Sequence, residues 1–123
     1  MNKLTKYACL LTATLGLAAC SGGKVQGSYD IVPLPNEMNE QGSAPFVLTS
    51  STTIGYTEGD TVLQRVANHL AGYIQDATGK LPKVKAGEGG IQLSVAQDIE
   101  NPEGYRLTVA QDGIEIAGGS PAG

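Results

Sequence analysis

The apolar positions change period several times along the chain, and each change marks an element. From Thr61 to Thr78, Leu63, Val66, Ala67, Leu70, Ile74 and Ala77 recur every three or four residues, which predicts one apolar stripe on a helix. Gln64, Arg65, Asn68, Gln75 and Asp76 fall on the opposite side. Thr61-Val62-Leu63-Gln64 fits a capping box with Thr61 as N-cap, Gly79 suits a left-handed end, and Pro82 bars continuation. Elsewhere the period is two. Ile91, Leu93 and Val95 alternate with Gln92, Ser94 and Ala96, and Tyr105, Leu107 and Val109 with Arg106, Thr108 and Ala110. Gln111-Asp112-Gly113 then leads into Ile114-Glu115-Ile116, an Asp-Gly turn that predicts an antiparallel hairpin. Phe46-Val47-Leu48 and Thr52 to Tyr56 read as two further short strands. Tyr29 to Pro35 is extended, because Pro33 and Pro35 bias their neighbours away from helix, and Asn36 to Ala44 is polar and turn-like. The expected fold is α+β, a small antiparallel or mixed β-sheet packed on one amphipathic helix in two layers.

The first segment breaks this pattern. Lys3 and Lys6 precede an apolar run from Tyr7 through Ala18, too short to span a bilayer and flanked as a secretory signal is. It ends in Leu17-Ala18-Ala19-Cys20, which resembles the bacterial lipoprotein box. Leu17 fills an apolar peptidase pocket, Ala18 and Ala19 leave room at the cut, and the Cys20 thiol takes the lipid. Several acyl chains are needed for stable anchoring, since one binds only marginally. Residues 1–19 are therefore expected to be a signal peptide. Cys20 is the expected lipid-attachment site, and residues 20–28, rich in Gly and Ser, are its flexible tether. Ser21 after the Cys implies, by resemblance to sorted lipoproteins, the outer membrane, on its periplasmic face or at the cell surface. The folded part is expected over residues 29–123.

That processing changes the chemistry available. Cys9 leaves with the signal and Cys20 is consumed by lipid, so neither a disulfide nor a thiol-based metal site is expected. The departing Lys3 and Lys6 make the mature chain more acidic than the net −4 of the whole. Nothing basic is clustered beyond Lys80, Lys83 and Lys85, read as surface charge, so no nucleic-acid partner is expected. His69, the only histidine, lacks the partners of a triad or zinc site and reads as a solvent-side helix residue. Glu58 and Asp60, and Asp98 and Glu100, are carboxylate pairs of the kind glycosidic acid–base work uses across a cleft. Both fall in turns with no apolar pocket to raise a pKa, and read as solvated charge. Gly87-Glu88-Gly89-Gly90 precedes a strand rather than a helix, so it is not a phosphate loop. No catalytic residue, cofactor or metal ligand is expected. The 123 residues also exclude a complete (β/α)₈ barrel, which needs at least about 200.

From about Tyr29 to Gly123 the chain resembles the N-terminal domain of bacterial β-N-acetylhexosaminidases of glycoside hydrolase family 20. The marks, in order, are Ile31-Val32-Pro33-Leu34-Pro35 and the helix from Thr61. Glu103-Gly104-Tyr105-Arg106-Leu107-Thr108-Val109, Gly113-Ile114-Glu115-Ile116 and Ser120-Pro121-Ala122-Gly123 follow. The resemblance implies a domain packed against a catalytic barrel. Members remove terminal N-acetylglucosamine or N-acetylgalactosamine, the substrate's own acetamido group attacking the anomeric carbon. An adjacent Asp and Glu of the barrel assist, and no position of this chain matches them. In the family the last motif runs into a helix that closes the domain. Ser120 as N-cap and Pro121 at the first helical position fit such a start, so the domain is expected to be incomplete at its C-terminal side. Glycan would be met only through the absent barrel. The other reading is a stand-alone lipid-anchored module binding glycans or a protein. The scarcity of aromatic residues, 5% of the chain, weighs against a sugar-stacking platform.

Overall fold

A computed structural model describes residues 30–40, 42 and 44–123. Its elements are β1 (Thr53–Tyr56), α1 (Thr61–Thr78), β2 (Lys83–Ala86), β3 (Ile91–Val95), β4 (Tyr105–Ala110) and β5 (Gly113–Gly118). The strands form one sheet in the order β2-β1-β3-β5-β4. β1 runs parallel to β2 and β3, and β3 parallel to β5, while β4 is antiparallel to β5. The α+β two-layer arrangement is thus as expected, and the sheet is of the mixed kind.

Strand alternation decides the two faces. Val84, Ile54, Ile91 and Ile114 lie in register across four strands, and Tyr56, Leu93 and Ile116 form the next row. This face meets α1, whose Leu63, Ala67 and Ala71 are buried against Ile54, Tyr56, Ile91 and Leu93. The helix stripe was expected to run on through Val66 and Ala77. Those two are exposed, because α1 packs on β2, β1 and β3 and makes no close contact with β5 or β4. The outer two strands keep their apolar face open. Tyr105, Leu107 and Val109 on β4 are 50%, 49% and 46% exposed, and Ile114 and Ile116 on β5 are half-buried.

Local chemistry departs from expectation in four places. The N-cap is Asp60, not Thr61. Asp60 has extended backbone angles (φ −85°, ψ 97°), and its Oδ1 accepts from Val62 N at 2.9 Å and Leu63 N at 2.8 Å. A carboxylate there also faces the positive end of the helix, which Thr61 could not match. At the other end Gly79 (φ 72°) closes the helix as expected, its N–H donating to Gln75 O. Phe46-Val47-Leu48 is not a strand: Phe46 and Leu48 pack on the core as irregular chain, with Val47 exposed. The Lys83–Ala86 segment, read as surface charge, is edge strand β2. Val84 and Ala86 share the face turned to α1, but only Val84 packs on the core, so the alternation with Lys83 and Lys85 is short and weak. The β4–β5 turn at Gln111-Asp112 uses no positive φ, even at Gly113, so it lacks the left-handed residues that Asp-Gly turns favour.

One close approach governs the topology. β2 and β3 flank β1 and run parallel to it, so the chain must return across β1 between them. It does so in the four residues from Gly87 to Gly90, where such crossovers usually need a dozen or more. A side chain on Gly55 would collide with the Gly87 carbonyl, Gly89 N and Gln92 Oε1, and one on Gly89 would collide with Gly55. Four bonds then hold the bridge. Gly87 N donates to Tyr56 O (2.9 Å), Gly89 N to Gln92 Oε1 (3.0 Å), Gly90 N to Thr53 Oγ1 (3.3 Å), and Ile114 N to Gly90 O (2.9 Å).

Gly55→Ala is expected to destabilise the 123-residue chain by at least about 1–3 kcal/mol, the usual range for forced overpacking. Gly72→Ala, in mid-helix with no atom within 4 Å of the added carbon beyond the helix's own neighbouring backbone, is expected to stabilise it by about 0.5–1 kcal/mol. Denaturant unfolding of both variants checks the contrast, and equal effects would contradict it. By the same measurement Asp60→Ala should remove about 1 kcal/mol through the lost cap, whereas Thr61→Ala should change little.

Candidate functional site

The titratable candidates separate into individual structural roles. Asp60 caps α1, and Glu58 is exposed in the preceding turn, which Asp60 N closes on Thr57 O. Asp98 accepts from Arg106 Nη1 at 3.0 Å, and Glu100 is exposed. His69 is exposed on α1, on the far side of the sheet from Ser94 and Thr108, so it is no base for either hydroxyl. Lys80 Nζ donates to Leu48 O at 3.0 Å, while Lys83 and Lys85 stand on the sheet face away from α1. Among the described residues no three His, Cys, Asp or Glu side chains gather as a metal site would require. Cys20 lies outside the described residues.

The open sheet face, which sequence reasoning did not single out, carries a shallow basin of about 230 Å³ lined by Gln92, Ser94, Arg106, Thr108 and Glu115 over small Ala96 and Ala117. Its cation is already engaged. The Arg106 guanidinium donates to Asp98 and also feels Glu115, which holds its proton more firmly than usual. In return the Arg106 bond, then a backbone hydrogen bond at Asp98, then charge attraction hold the Asp98 carboxyl below the ordinary aspartate range. A second concavity, about 510 Å³, lies between α1 and the 81–84 segment, lined by Asn68, Ala71, Gly72, Gln75, Leu81 and Val84 with Pro82 and Lys83. The basin brings the Ser94 and Thr108 hydroxyls near Glu115, which is opposite Thr108 in the β4–β5 ladder, but among the described residues no hydrogen bond joins either hydroxyl to that carboxylate.

These features define a small α+β module in which Asp60 caps the helix, Asp98 pairs with Arg106 and Lys80 bonds to the chain at Leu48. The class is made specific by comparison: residues 28–123 match glycosyl hydrolase family 20, domain 2. The chain belongs to that family. Two solved structures are similar to it. One is the family 20 β-N-acetylhexosaminidase from Streptomyces coelicolor A3(2), at 36% identity and a TM-score of 0.60 over 68% of this chain and 17% of that one. The other is the N-acetyl-β-hexosaminidase of Streptomyces plicatus in complex with Thio-NAglucal, at 33% identity and a TM-score of 0.66 over 76% of this chain and 18% of that one. The chain therefore spans less than a fifth of either enzyme. A comparison with curated proteins finds no match.

The depressed Asp98 pKa makes a signed prediction. The ion pair contributes above the ordinary aspartate pKa of about 3.9 and is lost as pH falls through the lower folded value. Carboxyl-carbon NMR should place the Asp98 midpoint below the usual range in the native chain and return it upward in Arg106→Met. Identical midpoints would show that the 3.0 Å contact does not persist in solution.

Proposed function

We propose that this chain is the non-catalytic N-terminal domain of a lipid-anchored β-N-acetylhexosaminidase. The family match over residues 28–123 carries the reading. Hydrolysis of terminal N-acetylglucosamine or N-acetylgalactosamine takes place on a (β/α)₈ barrel that follows in the same polypeptide. There the substrate's acetamido oxygen attacks the anomeric carbon, as the family's departure from the two-carboxylate scheme requires. The domain supplies no catalytic residue, and its part is to anchor and brace the barrel. Cys20 carries the lipid, residues 20–28 form the tether, and Ser21 directs the protein to the outer membrane. The glycan reaches the protein only at the barrel.

The half-covered sheet supports the presence of a following segment. β5 and β4 span roughly 10 Å at the usual strand spacing, close to the diameter of a helix. On a helical wheel Val62, Val66 and Tyr73 fall on the flank of α1 opposite Asn68, Gly72 and Gln75, which face β2. They border a trough whose floor is Tyr105, Leu107, Val109, Ile114 and Ile116. Ser120 accepts from Ala122 N at 3.1 Å through its hydroxyl and from Gly123 N at 3.1 Å through its carbonyl, bonds of a turn from which a helix can start. The closing helix enters the trough from there. Covering the three half-exposed β4 side chains would contribute about 1 kcal/mol each, half the value for full burial.

Extending the reading frame past Gly123 should reveal a barrel with adjacent Asp and Glu. The encoded protein should release chromophore from an N-acetylglucosaminide that the 123-residue chain leaves intact. Turnover by the short chain, or unrelated downstream sequence, would refute this function. Labelled fatty acid fed to expressing cells should appear on the protein and be lost in Cys20→Ala, and an unlabelled native protein would refute the anchor.

A further inference from the structure

Most glycines of the described residues have a local reason for lacking a side chain. Gly55 and Gly89 lie backbone to backbone, Gly59, Gly79 and Gly87 take positive φ, and a Cβ at Gly118, Gly119 or Gly123 would collide with nearby backbone. Gly72 has none: it sits inside α1, where glycine weakens a helix relative to alanine, and a methyl group there would meet nothing within 4 Å beyond the helix's own neighbouring backbone. It lies on the lip of the groove between α1 and the 81–84 segment. That groove has an apolar floor in Ala71, Pro82 and Val84, and Leu81 on its rim is 60% exposed. Asn68 and Gln75, one turn to either side of Gly72, line it with amides, and Asn68 Nδ2 donates to Gln64 O at 2.8 Å.

We propose that this groove is the docking surface for the barrel, with a backbone segment of the barrel crossing α1 at Gly72. The inference rests on the function proposed above. The missing side chain allows a backbone to come close, the flanking amides satisfy its polar groups, and Leu81 is covered. The other surfaces have other occupants. The trough on the opposite flank of α1 adjoins Ser120 and takes the segment that follows it. The open sheet face bears Lys83, Lys85, Gln92, Arg106 and Glu115 and suits water. With 17% and 18% of the solved enzymes matched, the body to be docked is several times larger than the domain and needs a face of its own.

Thiol protection in the barrel-carrying protein tests this. Gly72→Cys and Asn68→Cys should react with a maleimide about tenfold or more slowly than Asp112→Cys at the exposed β4–β5 turn, as expected when labelling needs the interface to open. Asn68→Cys removes bulk and reads the groove without wedging it apart. If it reacts as fast as Asp112→Cys, the docking surface is wrong. Protection that vanishes on dilution belongs to a second copy and also overturns it. Hydrolase activity of the same samples reads the parent proposal separately. An active barrel with an unprotected groove overturns the docking alone, whereas a gene without a barrel overturns both.

Discussion

The contact between the backbones of Gly55 and Gly89 is the constraint on which the topology depends. β2 can flank β1 on one side and β3 on the other only if the chain crosses β1 in the short stretch from Gly87 to Gly90. Gly55 points away from Ile54 and Tyr56, so this bridge crosses the face opposite α1. The α1 connection runs from β1 to β2 over one face, and the bridge runs back in the other direction over the other face. The two crossovers consequently share one hand, as a uniformly twisted sheet demands. Any side chain at Gly55 would force the bridge off the sheet. It would loosen the anchors to Tyr56, Thr53 and Gln92, and through Gly90 the hydrogen bond that aligns β5.

Because the bridge fills one face at β1 and α1 fills the other, burial is concentrated on the β2-β1-β3 side. Ile54, at the centre, is fully buried, and Tyr56, Ile91 and Leu93 are nearly so. The β5-β4 hairpin is held by its pairing, to β3 on one edge and within itself on the other, and by Ile114 and Ile116 of β5, which pack on the edge of the core. A tight connection near Gly118 and Gly119 secures its far end. Ala96 N donates to Gly118 O and Gly119 N to Gly104 O, and the Ser120 hydroxyl donates to Pro102 O. Backbone hydrogen bonds contribute about 0.5–1.5 kcal/mol each. Such a ladder can fix the hairpin's register while leaving its apolar face open.

The elements legible in the sequence are those whose side chains sort cleanly between core and solvent. α1 shows a helical stripe, and β3, β4 and β5 alternate with period two. Residues Lys83–Ala86 escaped notice because an edge strand needs just one inward residue, Val84, and protects its rim with lysines. Phe46 and Leu48 misled in the reverse sense: apolar side chains can enter a core from irregular chain. The cap at Asp60 was obscured because Thr61 and Gln64 also satisfy a capping pattern, and backbone angles rather than composition chose between them. The bridge was visible as glycines, but not as a crossover, because its meaning lies in a partner more than thirty residues upstream. The candidate site was legible mainly by elimination. The spacing of Glu58, Asp60, Asp98 and Glu100 invited glycosidic chemistry, and their turns argued against it. The structure then gives Asp60 to a helix end and Asp98 to Arg106.

The remaining surfaces follow from the same division. Polar groups are matched inside the domain: no fully buried side-chain nitrogen or oxygen lacks a partner among the described residues. Apolar groups are not matched in the same way. Leu107 and Val109 lie on one side of the molecule and Leu81 on the other, and no part of the described chain covers any of them. Exposed apolar surface of this kind marks places where other chain or another protein can pack. Here folding engages Asp60, Asp98 and Arg106 and leaves Leu81, Leu107 and Val109 exposed. On the proposed reading, the trough and the groove meet at the same helix, so α1 would take a neighbour on each flank.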